Sequence, residues 1–239
     1  MTECRGDTRV KIISFINFKG GAGKTTALSV IASALLARGR TVALFESDEN
    51  APLGTWRNHA RRSGTWDEAC AIFPAGDVDI FARSAEAAEK AGYEFALVDT
   101  HGGGSELNST VVASSCLTII PTAITSYDVN ASVTTAEFIV DLIDREELGE
   151  AVIVALLVTK LPHTLNKSRE ADLASIQDFP LFQTMLRDRD ALTGMLRSGL
   201  LHLTLEKRRA ESSIGATHFQ SAMREAEKLV DEVLEVVEG

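Results

Sequence analysis

Cysteine is scarce in this chain and poorly placed for any covalent or metal framework. Cys4, Cys70 and Cys116 are odd in number and share no short spacing, which excludes a disulfide scaffold and the paired-ligand pattern of a zinc site. Cys70 and Cys116 read as small buried apolar residues. Long hydrophobic runs are missing too. Glu3, Arg5, Asp7 and Arg9 precede the first apolar stretch, so no signal-peptide core is expected, and nothing approaches the ~20 apolar residues of a membrane span. The expected compartment is the cytoplasm. Basic charge is also short: 24 Lys and Arg against 34 Asp and Glu leave a formal net charge of −10. Such a molecule repels nucleic acid at long range, so any contact with DNA requires a local basic patch. No Pro/Ser-rich linker, low-complexity tract or internal repeat divides the chain, and residues 1–239 are expected to form a single domain.

What is present alternates. "VKIISFINF", "TVALFE", "YEFALVD", "CLTIIP" and "AVIVALLVT" are β-branched and aromatic runs, and helical patterns such as "KTTALSVIASALLARGR" and Val129 to Leu148 lie between them. The expected fold is α/β, a mostly parallel sheet with helices on both faces. Near the C-terminus, Phe219, Met223, Ala226, Val230, Val233 and Val237 recur at spacings of three and four. The opposite face carries Glu225, Glu227, Asp231, Glu232, Glu235 and Glu238. Anionic lipid repels that face, so the stripe is expected to pack on the protein itself, without stable membrane insertion.

The first strand runs into "KGGAGKTT", Lys19 to Thr26, and a helix follows. The general phosphate loop is G-x-x-x-x-G-K-[ST] between a strand and a helix, where backbone N–H groups and the helix N-terminus surround phosphate oxygens. Gly23, Lys24 and Thr25 fill its last three places, and Phe18 stands where the first glycine belongs. Gly20 and Gly21 still allow the main chain to approach an anion closely. Seven specified residues in K-G-G-x-G-K-T-T arise by chance on the order of 10⁻⁹ to 10⁻⁸ per start position, so a stray glycine turn is a poor explanation. Lys24 is expected to reach the β- and γ-phosphates of ATP, and Thr25 to give its hydroxyl to Mg²⁺.

"KGGAGKTT" resembles the deviant Walker A motif of the ParA/MinD group of P-loop ATPases. Its extra lysine matches Lys19, and the resemblance implies that this lysine reaches the nucleotide of a second subunit, so that a homodimer sandwiches two ATP molecules. The alternative for Lys19 is a solvated loop lysine. The nucleotide-holding stretch is then Lys19, Gly20, Gly21, Ala22, Gly23, Lys24, Thr25 and Thr26. In "FESDEN", Asp48 matches the aspartate that orients the attacking water, whereas Glu46, Glu49 and Asn50 depart from the family pattern; the other reading is that these acids cap the next helix. In "ALVDT", Asp99 fits the Walker B carboxylate that holds Mg²⁺ through a water. Gly102, Gly103 and Gly104 are expected to act as a second switch loop, made more mobile by the absence of the family's Pro-Pro. His101 is a candidate base or, alternatively, a hydrogen-bonding loop residue. Thr159 and Lys160 match positions near the nucleobase.

Several longer segments, "VALFESDENAPLGTW", "VDTHGGGSELN" and "LLHLTLEKRR" among them, are more similar to the Vir-type ParA-like ATPase of T-DNA and conjugative transfer than to partition ATPases. The resemblance implies a switch that helps to assemble a relaxase complex on DNA. A partition ATPase released from DNA by a centromere-binding protein is the alternative, and a small-molecule ligase or kinase is another. A nitrogenase-reductase-like carrier is excluded by "THGGGS", which lacks the thiolate such a cluster needs. Partition relatives place DNA-binding basic residues toward the C-terminus, which makes Arg187, Arg189, Arg197, Lys207, Arg208 and Arg209 the candidates. Arg57, Arg61 and Arg62 form a second basic stretch beside Trp56.

Overall fold

The computed structural model describes residues 10–48, 50–100 and 102–239, with the backbone alone for 213–215. Its centre is built from the apolar runs. Strands β1 (Lys11–Phe15), β2 (Val42–Glu46), β3 (Cys70–Pro74), β4 (Phe95–Asp99), β5 (Leu117–Thr122) and β6 (Ile153–Val158) form one sheet. Its order is β3-β2-β4-β1-β5-β6 and every pairing is parallel. Strands β4 and β5 are buried at every residue, as continuous apolar runs between two helical layers must be. Five strands are expected from the sequence, and the structure has a sixth, β3. Among the described residues this edge strand pairs only with β2; it is half-buried along its middle and ends in proline, so it lacks the run that marks the other five.

The helices are α1 (Lys24–Ala37), α2 (Pro52–Ser63), α3 (Val78–Lys90), α4 (Glu106–Ser114), α5 (Ser126–Arg145), α6 (Lys167–Ala174), α7 (Asp190–Thr193), α8 (Met195–Ser198), α9 (Leu201–Glu211) and α10 (Ser213–Glu238). Helix α5 starts three residues earlier than the apolar periodicity indicates. The cause is its cap: Thr125 Oγ1 accepts the Asp128 N–H at 3.2 Å, and Asp128 lies in the first turn. Helix α1 is buried continuously from Ala27 to Leu36, because the sheet covers one side and α9 and α10 the other.

The C-terminal stripe packs inward as expected. Met223, Ala226, Val230, Val233 and Val237 are buried, joined by Ala222 and Leu229, with Phe219 half-buried at the rim. At ~1.5–3 kcal/mol per large buried aliphatic side chain, this face anchors α10 firmly to α1 and α9. Among the described residues no helix is long and apolar enough to cross a membrane. Parallel strands bring their C-terminal ends to one edge, where the register aligns Phe15 with Asp99 and Asp99 with Glu46. Ligands of open α/β sheets bind outside that edge.

Candidate nucleotide-binding site

Beyond β1 the chain is fixed by Asn17, a residue the motif does not flag. Its buried amide donates to the Pro121 carbonyl at 2.8 Å and to Ser132 Oγ at 3.0 Å, and its Oδ1 accepts the Lys19 N–H at 2.8 Å. The loop is thereby tied to β5 and α5 before its first glycine. Phe18, in the place usually held by a glycine, packs its ring edge-on against Phe138 of α5, with centroids 5.1 Å apart. The substitution makes a hydrophobic anchor of a position that is usually bare.

Gly21 and Gly23 adopt φ of 78° and 98°, the left-handed region that suits glycine. A Cβ at Gly23 would also lie 2.9 Å from Thr159 Oγ1. Lys24 opens α1 and curls back over the loop, its Nζ donating to the carbonyls of Asn17 at 3.0 Å and Lys19 at 3.4 Å. Burial lowers its pKa, and the Asp99 carboxylate partly offsets that. A half-buried ammonium beside a left-handed glycine loop is suited to a polyanion.

Thr25 Oγ1 donates to Asp99 Oδ2 at 2.6 Å, which joins the start of α1 to the end of β4. Among the described residues no three His, Cys, Asp or Glu side chains converge as a metal cage. One hydroxyl beside one carboxylate nevertheless fits Mg²⁺, which is held by one or two protein oxygens and completed by phosphate and water. Ser47 Oγ donates to the Asp99 carbonyl at 2.7 Å and fixes the strand end from behind.

The acids at the end of β2 and just beyond it divide their duties. Glu46 Oε2 accepts the Gly54 N–H at 3.0 Å, so Glu46 caps α2, and burial raises its pKa. Asp48 accepts the Asn50 N–H at 2.8 Å and its side-chain amide at 3.0 Å, shaping the turn into α2. Glu49 and His101 lie outside the described residues. On the third loop, a Cβ at Gly102 would meet the Phe18 carbonyl at 3.0 Å, and Gly103 has φ of 101°. Asn108 donates to the Gly103 carbonyl at 2.5 Å, and the missing Cβ of Gly102 lets this loop lie close to Phe18.

Thr159 and Lys160 reach the same loop from β6. Thr159 donates to the Ala22 carbonyl at 2.8 Å, and Lys160, itself left-handed at φ 52°, donates from Nζ to the Gly21 carbonyl at 2.6 Å. With Gly23, Thr26, Leu186 and Arg187 they line a small cleft beside α1. Lys19 points the other way. Its ammonium pairs with the Asp128 carboxylate on the first turn of α5 and lies 4.3 Å from the ring centroid of Tyr127, which is 72% exposed.

The same architecture is known from solved structures, and the likeness covers nearly the whole chain. McdA of Cyanothece, in complex with ATP, superposes with a TM-score of 0.69 at 12% identity, over 97% of each chain. A putative plasmid partition protein of Borrelia burgdorferi bound to AMPPNP gives 0.64 at 16% identity, over 95% of this chain and 99% of that one. MinD of Pyrococcus horikoshii with Mg-ADP gives 0.61 at 18% identity, over 94% and 96%. These establish the fold of the ParA/MinD P-loop proteins. In sequence, the family model described as VirC1 protein matches residues 10–239. The chain belongs to the VirC1 family. Protein virC1 of Rhizobium rhizogenes is 40% identical over 232 residues, which are 95% of this chain and 100% of that protein. Protein virC1 of Rhizobium radiobacter is 40% identical over 197 residues, 82% and 84% of the two chains.

In this VirC1-family chain the six candidate DNA contacts are spread over the segment before α7, α8 and α9. Arg189 has a side chain that is 19% exposed and donates from Nε and Nη2 to Glu225 Oε1 at 3.1 and 2.5 Å. Arg187 belongs to the cleft wall. Arg197 is exposed on α8, and α9 carries the remaining three. Lys207 donates to the Ser63 carbonyl at the end of α2 at 2.9 Å, Arg208 pairs with Glu211 at 3.2 Å, and Arg209 is exposed. The Lys207 contact places α9 against the last turn of α2, which carries Arg61 and Arg62. Arg61 itself pairs with Glu68 at 2.5 Å.

Proposed function

We propose that this chain is a Mg²⁺-dependent ATPase that dimerises on ATP, acts on DNA as a switch and helps assemble or position a plasmid or T-DNA transfer complex with relaxase-type partners. The observation that carries the proposal is the convergence of Lys24, Thr25 and Asp99 on one left-handed glycine loop. The virC1 relatives support the transfer setting. Mg²⁺ supplies charge neutralisation at the β- and γ-phosphates. Gly21, Gly23 and Lys24 bind those phosphates, Thr25 and Asp99 orient the metal, and Thr159, Lys160 and Leu186 flank the base. Asp48 positions a water whose oxygen attacks the γ-phosphorus as the bond to the β-bridging oxygen breaks, yielding ADP and phosphate.

Lys19 gives the switch its threshold. Its ammonium must leave Asp128 before it can meet a γ-phosphate held by the opposite protomer, so dimerisation follows only when that phosphate outcompetes the carboxylate. Basic residues on α9 and at the end of α2 are doubled in the dimer, which strengthens phosphate contacts by avidity. The test is a pair of variants. Lys24→Ala is expected to abolish binding of Mg-AMPPNP, and Lys19→Ala to bind it as a monomer without dimerising in light scattering. A Lys19→Ala protein that dimerises as well as the wild type would refute the trans role.

A further inference from the structure

The acidic face of α10 is not simply a solvated face. After β6 the chain returns along the free edge of the sheet: the N–H of Phe182 donates to the Leu156 carbonyl at 3.0 Å, that of Leu186 to Val158 at 2.9 Å, and that of Asp188 to Leu161 at 2.9 Å. Donors of the same segment meet α10 instead. Gln183 N–H and Thr184 N–H donate to the two oxygens of Glu232 at 2.7 and 2.8 Å, and Arg187 N–H donates to Glu225 Oε2 at 3.3 Å. Two carboxylates of one helix therefore hold the outer side of a strand-like segment at the edge of the sheet.

Glu225 does more than cover an edge. Its side chain is 16% exposed and also binds the Arg189 guanidinium, whose pKa is raised by that hydrogen bond. Arg189 is the residue from which α7 starts, and Leu192 and Thr193 of α7, with Leu186, Arg187 and Asp188, form one wall of the cleft whose other wall is Gly23 and Thr26. The buried stripe of α10 meanwhile packs against α1, which begins at Lys24. One rigid helix thus spans the phosphate loop's own helix and the opposite wall of the cleft.

We infer that Glu225 is a positioning residue for the base end of the nucleotide site: through Arg189 and the Arg187 amide it holds the wall formed by Leu186–Thr193 at a set distance from Gly23 and Thr26. This rests on the proposed nucleotide function. The phosphates meet the glycine loop, which is anchored independently by Asn17, so the role of Glu225 is confined to the base and its sugar.

Calorimetric titration of the full chain with Mg-AMPPNP and with magnesium tripolyphosphate, which has the phosphates and no base, tests it. Glu225→Ala is expected to weaken AMPPNP about tenfold while leaving tripolyphosphate within about twofold of wild type. Glu225→Gln, which keeps the side chain's size and one acceptor oxygen and serves if the alanine variant does not fold, should show the same selectivity with a smaller loss. Equal weakening of both ligands, or no change in either, overturns the inference while leaving the nucleotide function standing. Wild-type protein that fails to bind AMPPNP refutes that function and the inference with it.

Discussion

Removing the charge of Asp128 should make the dimer easier to form. The ammonium of Lys19 and the Asp128 carboxylate are 25% and 12% exposed, so their pairing is partly shielded from water. A hydrogen bond to a charged group contributes ~1.5–3 kcal/mol when buried, and partial exposure brings this pair to about 1 kcal/mol. Under the proposed trans role of Lys19 each dimer releases two such pairs, giving about 2 kcal/mol, or roughly a 30-fold tighter dimer in Asp128→Asn. Asparagine keeps an acceptor for Thr125 Oγ1, which donates to Asp128 Oδ2 at 2.5 Å. The lost charge at the N-terminus of α5 costs ~0.3–1 kcal/mol of helix stability, too little to mask the effect. Sedimentation equilibrium with Mg-AMPPNP measures the dimer constant, and calorimetry on dilute monomer measures nucleotide affinity. An Asp128→Asn dimer constant equal to or weaker than wild type, with nucleotide affinity intact, would show that Lys19 is not restrained by this carboxylate.

Other consequences follow from the same geometry. Replacing Lys207, Arg208 and Arg209 together by Glu should weaken DNA retention in gel-shift assays by about tenfold or more at low salt, without altering AMPPNP binding; an unchanged shift rules the α9 cluster out. His202 has a pKa below its ordinary 6.5 because burial disfavours its charged form, against the raising effect of Asp67 and Glu206. The unfolded chain therefore takes up a proton near pH 6.5 that the folded chain refuses, so this residue makes stability fall as pH drops below about 6.5. The urea midpoint of wild type should decline between about pH 7 and 5.5, and His202→Gln should flatten that slope; an identical slope in the variant would assign the decline elsewhere.

Much of the site is legible in the sequence because its requirements are local. Left-handed backbone at Gly21 and Gly23, a lysine at the first turn of a helix and a hydroxyl next to it are demands that one short stretch satisfies alone, and a buried apolar run ending in Asp99 announces a strand end. Asn17 carries no such signal, because its partners, Pro121 and Ser132, lie more than a hundred residues away. Strand β3 escapes the pattern because an edge strand needs burial on fewer sides. The partner of Arg189 is hidden for a related reason: charge is visible in a sequence, but pairing with a carboxylate 36 residues onward is not.

The sequence by itself determined the phosphate loop, the parallel α/β class and the inward-facing stripe of the last helix, since each depends on residue type at short spacing. Only the tertiary structure decided which charges were already engaged: Lys19 by Asp128, Arg189 by Glu225, and the edge amides of Gln183 and Thr184 by Glu232. Electrostatic partners are chosen by distance in space, and distance in space is what folding sets.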